Sequence, residues 1–342
     1  MTASTVPPDL GIRAVVTLCS TPRLMHLRPQ LTALRAASRV LRIVAWVGDD
    51  DPPELDADDV LHIRPGPDGL RLSAARNQAA DRAVELGAWL LVFLDADCVP
   101  GEHLLDRYEA AARARPDAVL CGPVTYLTPG VDVGDPIALS RRTRPHPARP
   151  APSDDQVVQA TAPEYALFWS LSFALTRAAW GADAPRFDER YEGYGGEDTD
   201  FAFALRKARV PLMWVGGAHA YHQHHPTSSP PWQHLDDILR NGARFAERWG
   251  TWPMTGWLEA FAESGAVVRV DGRWQRADPP LGPPAPSGSA AEGRPEQIVG
   301  RLNEVGRHGV GGEPGRAGPR STADRRPDSR PVQDPANRGG QG

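Results

Sequence analysis

Lysine is almost missing from this chain, with Lys207 alone against 37 arginines, a bias that reflects GC-rich coding more than chemistry. Cysteine is scarce as well. Cys19, Cys98 and Cys121 are odd in number, lie far apart and form no CxxC, so neither a disulfide framework nor a zinc ribbon is supported and reduced, intracellular thiols are expected. The opening MTASTVPPDLGIR has neither the basic start nor the apolar core of a signal peptide. No apolar run approaches the ~18 residues of a membrane-spanning helix. By default these absences give a cytoplasmic expectation. Positive charge is not in surplus either, and a formal net charge of −5 argues against a nucleic-acid-binding surface.

What is present is enough apolar material for a sizeable core, 41% of 342 residues. The β-branched run 12–19 reads as a buried strand ending at Ser20-Thr21-Pro22. Residues 27–39 place Leu27, Leu31 and Leu34 on one helical face. A second strand, 41–47, closes at Gly48-Asp49-Asp50-Asp51. A helix over 71–87 leads to a third strand, 89–94, then a helix at 102–115 and a strand at 118–121. This alternation predicts an α/β fold, a mostly parallel sheet flanked by helices. Such sheets bind ligands outside the carboxyl ends of their strands. The Pro- and Arg-rich stretch 128–163 reads as a loop or lid, with strand 211–216 and helix 232–249 beyond it. From about 278 the composition turns to Pro, Gly, Arg and Ser, dividing the chain into a globular part, 1–277, and a disordered tail, 278–342.

Three predicted strands end in polar residues: Ser20, Asp49, and Asp95 with Asp97. The Asp95-Ala96-Asp97 triplet follows the very apolar WLLVFL. Two readings compete, capping of the next helix and ligation of a hard cation. In an extended segment, residues i and i+2 point the same way, so both carboxylates can face one Mg²⁺ or Mn²⁺ bound to a diphosphate. A second acidic cluster, Gly195-Gly196-Glu197-Asp198-Thr199-Asp200, opens a helical run. Its charges suit a helix N-terminus, and a carboxylate there also suits a general base. His219, His222, His224 and His225 crowd a strand exit, where one imidazole can complete a Mn²⁺ site with Asp97.

Taken together, these blocks resemble the family 2 glycosyltransferases of the GT-A fold over residues 12–225. RLSAARNQAADRAVELGAWLLVFLDADCVP is similar to that family's ARN and DxD block, and RFDERYEGYGGEDTDFAFALRKARV to its ED-x-D block. The Gly-Gly-Glu-Asp form also occurs in galactosyl- and N-acetylgalactosaminyl-transferases of the same fold. The resemblance implies a nucleotide-sugar donor, most simply a UDP-hexose, and a Mn²⁺ or Mg²⁺ cofactor. It implies that Asp49 bonds the nucleobase while Leu18 and Ser20 line its pocket. Arg76 and Asn77 would lie near the base and pyrophosphate, with Asp95 on ribose or metal and Asp97 on the metal. Asp198 matches the general base, and Glu197 with Gly196 would hold the donor sugar or acceptor. A later-strand histidine also ligates the metal in the galactosyl-type relatives; His222 fits best by spacing, with His219 and His224 as alternates.

The sequence departs from the family at TLCSTPR, where P-T-Y-N is frequent, and at Tyr194, where tryptophan is. Tyr191, Tyr194, Trp169 and Trp232 fit sugar stacking and core packing equally. The expected reaction is a single displacement with inversion. The acceptor, whether glycan, lipid, peptide or small molecule, is open. Two rivals stand beside this reading: a nucleotidyltransferase, which would normally carry a Gly- and Lys-rich phosphate loop that TLCSTPRL is not, and a non-catalytic binding protein of the same fold.

Overall fold

The apolar runs and the alanine-rich stretch between them assemble into a mixed α/β layer structure in the computed structural model, which describes residues 11–278, all in one compact unit. The tail expected from composition therefore lies, Asp278 apart, outside the described residues. The first half alternates β1 (Ile12–Cys19), α1 (Leu24–Leu34), β2 (Val40–Val47), β3 (Asp59–Ile63), α2 (Leu72–Glu85), β4 (Ala88–Leu94), β5 (Cys98–Pro100), α3 (Leu104–Ala114), β6 (Val119–Cys121) and β7 (Val124–Tyr126). Next come α4 (Pro136–Ser140), β8 (Val157–Gln159), β9 (Ser172–Thr176), α5 (Glu197–Lys207), β10 (Leu212–Val215) and β11 (Ala220–His222). The described residues close with α6 (Leu235–Trp249), α7 (Thr255–Glu263), β12 (Val267–Val270) and β13 (Arg273–Arg276).

Eight strands form the main sheet in the order β3-β2-β1-β4-β9-β6-β10-β8. β3, β2, β1 and β4 are mutually parallel, as are β6 and β10, while β9 and the edge strand β8 run antiparallel to their neighbours. The mostly parallel expectation holds. The largely apolar strands β1, β2 and β4 are buried on both faces along most of their length. Helix α2 packs on one face through Ala74, Ala75, Ala79, Ala80 and Ala83, all at 0% exposure. Those small side chains let the helix lie close to the sheet, which fixes Arg76 and Asn77 at its buried first turns.

The structure corrects several sequence readings. β3 is an additional strand, so the triplet follows the fourth strand in chain order. Only the last residue of β3 is fully buried, and its DVLHI pattern lacks a continuous apolar signal. The segment 128–163 is not a bare loop: it holds α4, capped by Asp135 on the Ile137 and Ala138 amides, and β8, paired with β10. A second sheet, β5-β11-β7, has strands of three residues, too short for periodicity to reveal. It lies beyond the carboxyl end of β4 and positions the histidine segment, because its register sets His222 opposite both Cys98 and Tyr126.

Candidate active site

The triplet after β4 is a tight turn, not an extended segment, closed by the Cys98 amide donating to the Asp95 carbonyl at 2.8 Å. Its two carboxylates consequently diverge. Gln30 of α1 holds the turn from behind: its amide nitrogen donates to the carbonyls of Asp95 and Cys98, both at 2.7 Å, while its oxygen accepts from Thr17 Oγ1 of β1. Gln30 is completely buried, so this small network fixes the turn to the sheet.

Asp97 faces the second sheet. The Gln223 amide donates to its carbonyl at 2.7 Å, continuing the β5–β11 pairing and bringing the histidine segment alongside. His222 Nε2 lies 3.4 Å from Oδ1, and His225 Nε2 lies 3.2 Å from Oδ2. Arg23, in the turn after β1, reaches Oδ2 with Nε at 3.2 Å. Burial alone would raise the Asp97 carboxyl, but the His225 hydrogen bond and the charges of His222, His225 and Arg23 outweigh it and hold it at about 2. Burial also depresses His222, against the pull of Asp97, which favours a neutral imidazole with a free lone pair. Tyr126 stacks on the His222 ring at 4.4 Å between centroids and fixes its plane.

Asp95 turns the other way, to Arg76 Nη2 at 3.9 Å. Arg76 is 5% exposed and forks between Ser170 Oγ at 2.8 Å and Glu197 Oε1 at 3.3 Å. It therefore bridges the turn after β4 to the first turn of α5. That helix starts on two glycines with left-handed backbone, Gly195 at φ +90° and Gly196 at φ +91°, where a Cβ on Gly195 would sit 2.7 Å from Met254 Sδ. The neighbouring Asp198 is half-buried, and one oxygen accepts from the Thr199 amide at 2.7 Å. Burial and the adjacent Glu197, opposed by Arg76, lift the Asp198 carboxyl to about 7. Burial likewise lifts Asp95 to about 6, with Arg76 opposing and Asp97 and Glu197 adding.

The remaining sequence-predicted residues occupy different surroundings. Leu18, Ser20 and Asp49 lie at the carboxyl ends of the neighbouring strands β1 and β2, and Thr21 joins the two loops through Asp50 at 3.2 Å. Asn77 is committed to the protein, exchanging hydrogen bonds with the Phe187 backbone and donating to Glu189. His219 points onto Thr125 Oγ1 at 2.7 Å, and His224 lines a separate cavity of about 280 Å³, so neither joins Asp97. Asp200 is wholly buried and accepts from Arg248, Trp249 and Tyr191, tying α6 to α5. Tyr191 is thus core, Tyr194 stacks on His234, Trp232 packs edge-on to Phe261, and Trp169 lies against His146. Sequence reading placed His225 in the histidine cluster without singling it out, and missed Arg23, Gln30 and Ser170. The density of histidine after β11 was the only signal for any of them.

Asp97, His222 and His225 form a group whose ligand atoms all lie within 4.8 Å of one another. Asp95 is not among them. Ligand separations of 3.2 and 3.4 Å match adjacent positions around an ion with bonds of roughly 2.1 Å, about 3 Å apart. One carboxylate and two imidazoles fit Mn²⁺ better than Mg²⁺. The cleft also carries four carboxylates, Asp95, Asp97, Glu197 and Asp198, against the guanidiniums of Arg23 and Arg76, a deficit that a divalent cation offsets.

No protein-family model matches the chain. No curated protein matches it. Among solved structures it is similar to GalNAc-T7 crystallised with UDP, GalNAc and Mn²⁺, at 14% identity over 76% of this chain and 51% of that one, with a TM-score of 0.50. It also matches residues 1–349 of S. aureus TarS crystallised with UDP-GlcNAc, at 11% identity over 69% of this chain and 66% of that one, with a TM-score of 0.47. The chain thus spans about half the length of GalNAc-T7. At such identity the likeness concerns the fold. The fold is GT-A, an α/β layer structure with a mostly parallel sheet.

Proposed function

We propose that this chain is a metal-dependent glycosyltransferase that moves a sugar from a nucleotide-sugar donor, a UDP-hexose of the Gal, GalNAc or Glc type, to an acceptor hydroxyl. One observation carries the reading. A line of neighbouring polar groups runs from a mixed His/Asp ligand group, along the turn to Asp95, which Arg76 bridges to Glu197, next in the chain to a carboxyl tuned near neutrality at Asp198. The likeness in fold to GalNAc-T7, crystallised with UDP and Mn²⁺, adds to it.

In this reading Asp97, His222 and His225 would hold Mn²⁺, whose charge would offset that of the departing diphosphate. Leu18, Ser20 and Asp49 receive the nucleobase, and Asp95 receives the ribose. Arg76 keeps Asp95 and Glu197 in register, so that the donor's two ends meet a fixed frame. The left-handed Gly195-Gly196 backbone brings the start of α5 close to the sugar. Asp198 accepts the proton of the acceptor hydroxyl as its oxygen bonds to the anomeric carbon and the bond to the diphosphate breaks, inverting that centre. The acceptor is a glycan, lipid, peptide or small metabolite and not a nucleic acid. No helix among the described residues is long and apolar enough to cross a membrane.

The test is release of UDP with Mn²⁺ present, across a panel of UDP-sugars and candidate acceptors, with the product's anomeric configuration read by NMR. Release that requires Mn²⁺ and gives inverted product supports the reading. Formation of a nucleotide–sugar bond from a sugar phosphate would instead place the chain with the nucleotidyltransferases. Failure to bind any nucleotide sugar would leave only a binding protein of this fold.

A further inference from the structure

Arg23 lies where an arginine is least expected if the carboxylate of Asp97 exists only to hold a metal. Its Nε is 3.2 Å from Asp97 Oδ2, the same oxygen that faces His225, and its Nη2 is 3.5 Å from His225 Nδ1. One guanidinium therefore touches two of the three proposed ligands. Arg76, the other cation of the cleft, is fully engaged by Ser170, Glu197 and Asp95. Among the described residues the Arg23 side chain pairs with the proposed metal ligands Asp97 and His225, and it keeps 38% of its exposure. It is carried on a short exposed turn after β1 with Pro22 inside it, so the side chain can swing without disturbing the sheet.

We propose that Arg23 is a stand-in cation that the metal displaces and that then grips the donor's diphosphate. The inference rests on the metal site proposed above. A divalent ion between Asp97, His222 and His225 competes with the guanidinium for Oδ2 and repels its charge at short range. The displaced side chain stays tethered within a few ångströms, beside the anion that the ion itself recruits. A planar guanidinium pairs with phosphate oxygens through two parallel hydrogen bonds, which a point charge cannot do. Without donor, the same arginine satisfies Asp97 and keeps a buried carboxylate from standing uncompensated. Arg23 thus makes metal binding weaker and diphosphate binding stronger, two effects of opposite sign from one residue.

That opposition supplies the experiment. Mn²⁺ affinity of the full-length protein is measured from the EPR signal of free Mn²⁺, and UDP affinity at saturating Mn²⁺ by calorimetry. Arg23→Gln is expected to bind Mn²⁺ about tenfold tighter and UDP about tenfold weaker. Arg23→Lys, which keeps the charge but not the fork, is expected to restore most of the wild-type Mn²⁺ affinity and only part of the UDP affinity. Unchanged or weaker Mn²⁺ binding in Arg23→Gln, or unchanged UDP binding, overturns the proposal. Asp97→Asn separates this from failure of the metal site itself. If that variant still binds Mn²⁺ as wild type does, the site is wrong and the role of Arg23 falls with it. If it loses Mn²⁺ while Arg23→Gln behaves as wild type, the site stands and only Arg23 is misassigned.

Discussion

Asp198 has one oxygen tied to the start of its own helix, by the Thr199 amide and hydroxyl, and its carboxyl is poised at about 7. A base must be deprotonated to work, so turnover should fall as pH drops through about 7 and level off above it. A kcat profile that stays flat across neutrality would show that Asp198 is not the base. Asp198→Asn should lower kcat by roughly 10²–10⁴ while leaving UDP affinity within a few-fold of wild type. Wild-type turnover in that variant would falsify the assignment. Asp97 and Asp95 illustrate how two carboxylates two residues apart acquire different partners. The sequence places them together, and a period-two argument points them the same way. The turn after β4 separates them, sending Asp97 to the histidines and Asp95 to Arg76.

At the scale of elements, the site is a junction of the β4 turn, β11 and the start of α5, and the turn itself is held by a buried polar residue outside the chemistry. Gln30→Leu would leave the Asp95 and Cys98 carbonyls and the Thr17 hydroxyl without their partner. It should cost about 2–3 kcal/mol in urea unfolding and weaken Mn²⁺ binding, since the turn that aims Asp97 loses its support. Stability loss with unaltered Mn²⁺ affinity would limit Gln30 to the core. Gly196→Ala forces a side chain into a left-handed backbone 3.2 Å from Tyr191, with an expected cost of about 1–2 kcal/mol in the same unfolding measurement. The helices α2 and α5 and the long strands were legible because burial on one or both faces writes a period into the sequence. β5, β7 and β11 were not, because three residues carry no period and their pairing is decided by segments far away in the chain.

For the whole molecule, folding gathers four carboxylates into one cleft, and the cation that balances them should stabilise the fold. Mn²⁺ at about 100 times its Kd should add about 2.7 kcal/mol, seen as a rise in Tm that EDTA reverses and Asp97→Asn abolishes. An equal rise in Asp97→Asn would locate the ion elsewhere. The sequence by itself determined the α/β class, the ends of β1, β2 and β4, the place of the Asp95-Ala96-Asp97 triplet at a strand end and the Gly-Gly-Glu-Asp start of α5. These are local patterns of burial, turn chemistry and charge, and they survive in a one-dimensional string. His222 emerged through its spacing to a family pattern. Tertiary structure alone decided that His225 and Arg23 meet Asp97, that His219 and His224 do not, that Asp200 is a strut for α6, and that Asn77 holds the backbone at Phe187. Those assignments depend on strand register and on which way a side chain leaves a turn. Both are fixed by packing between distant segments, and one residue of slip would exchange the ligands for their neighbours.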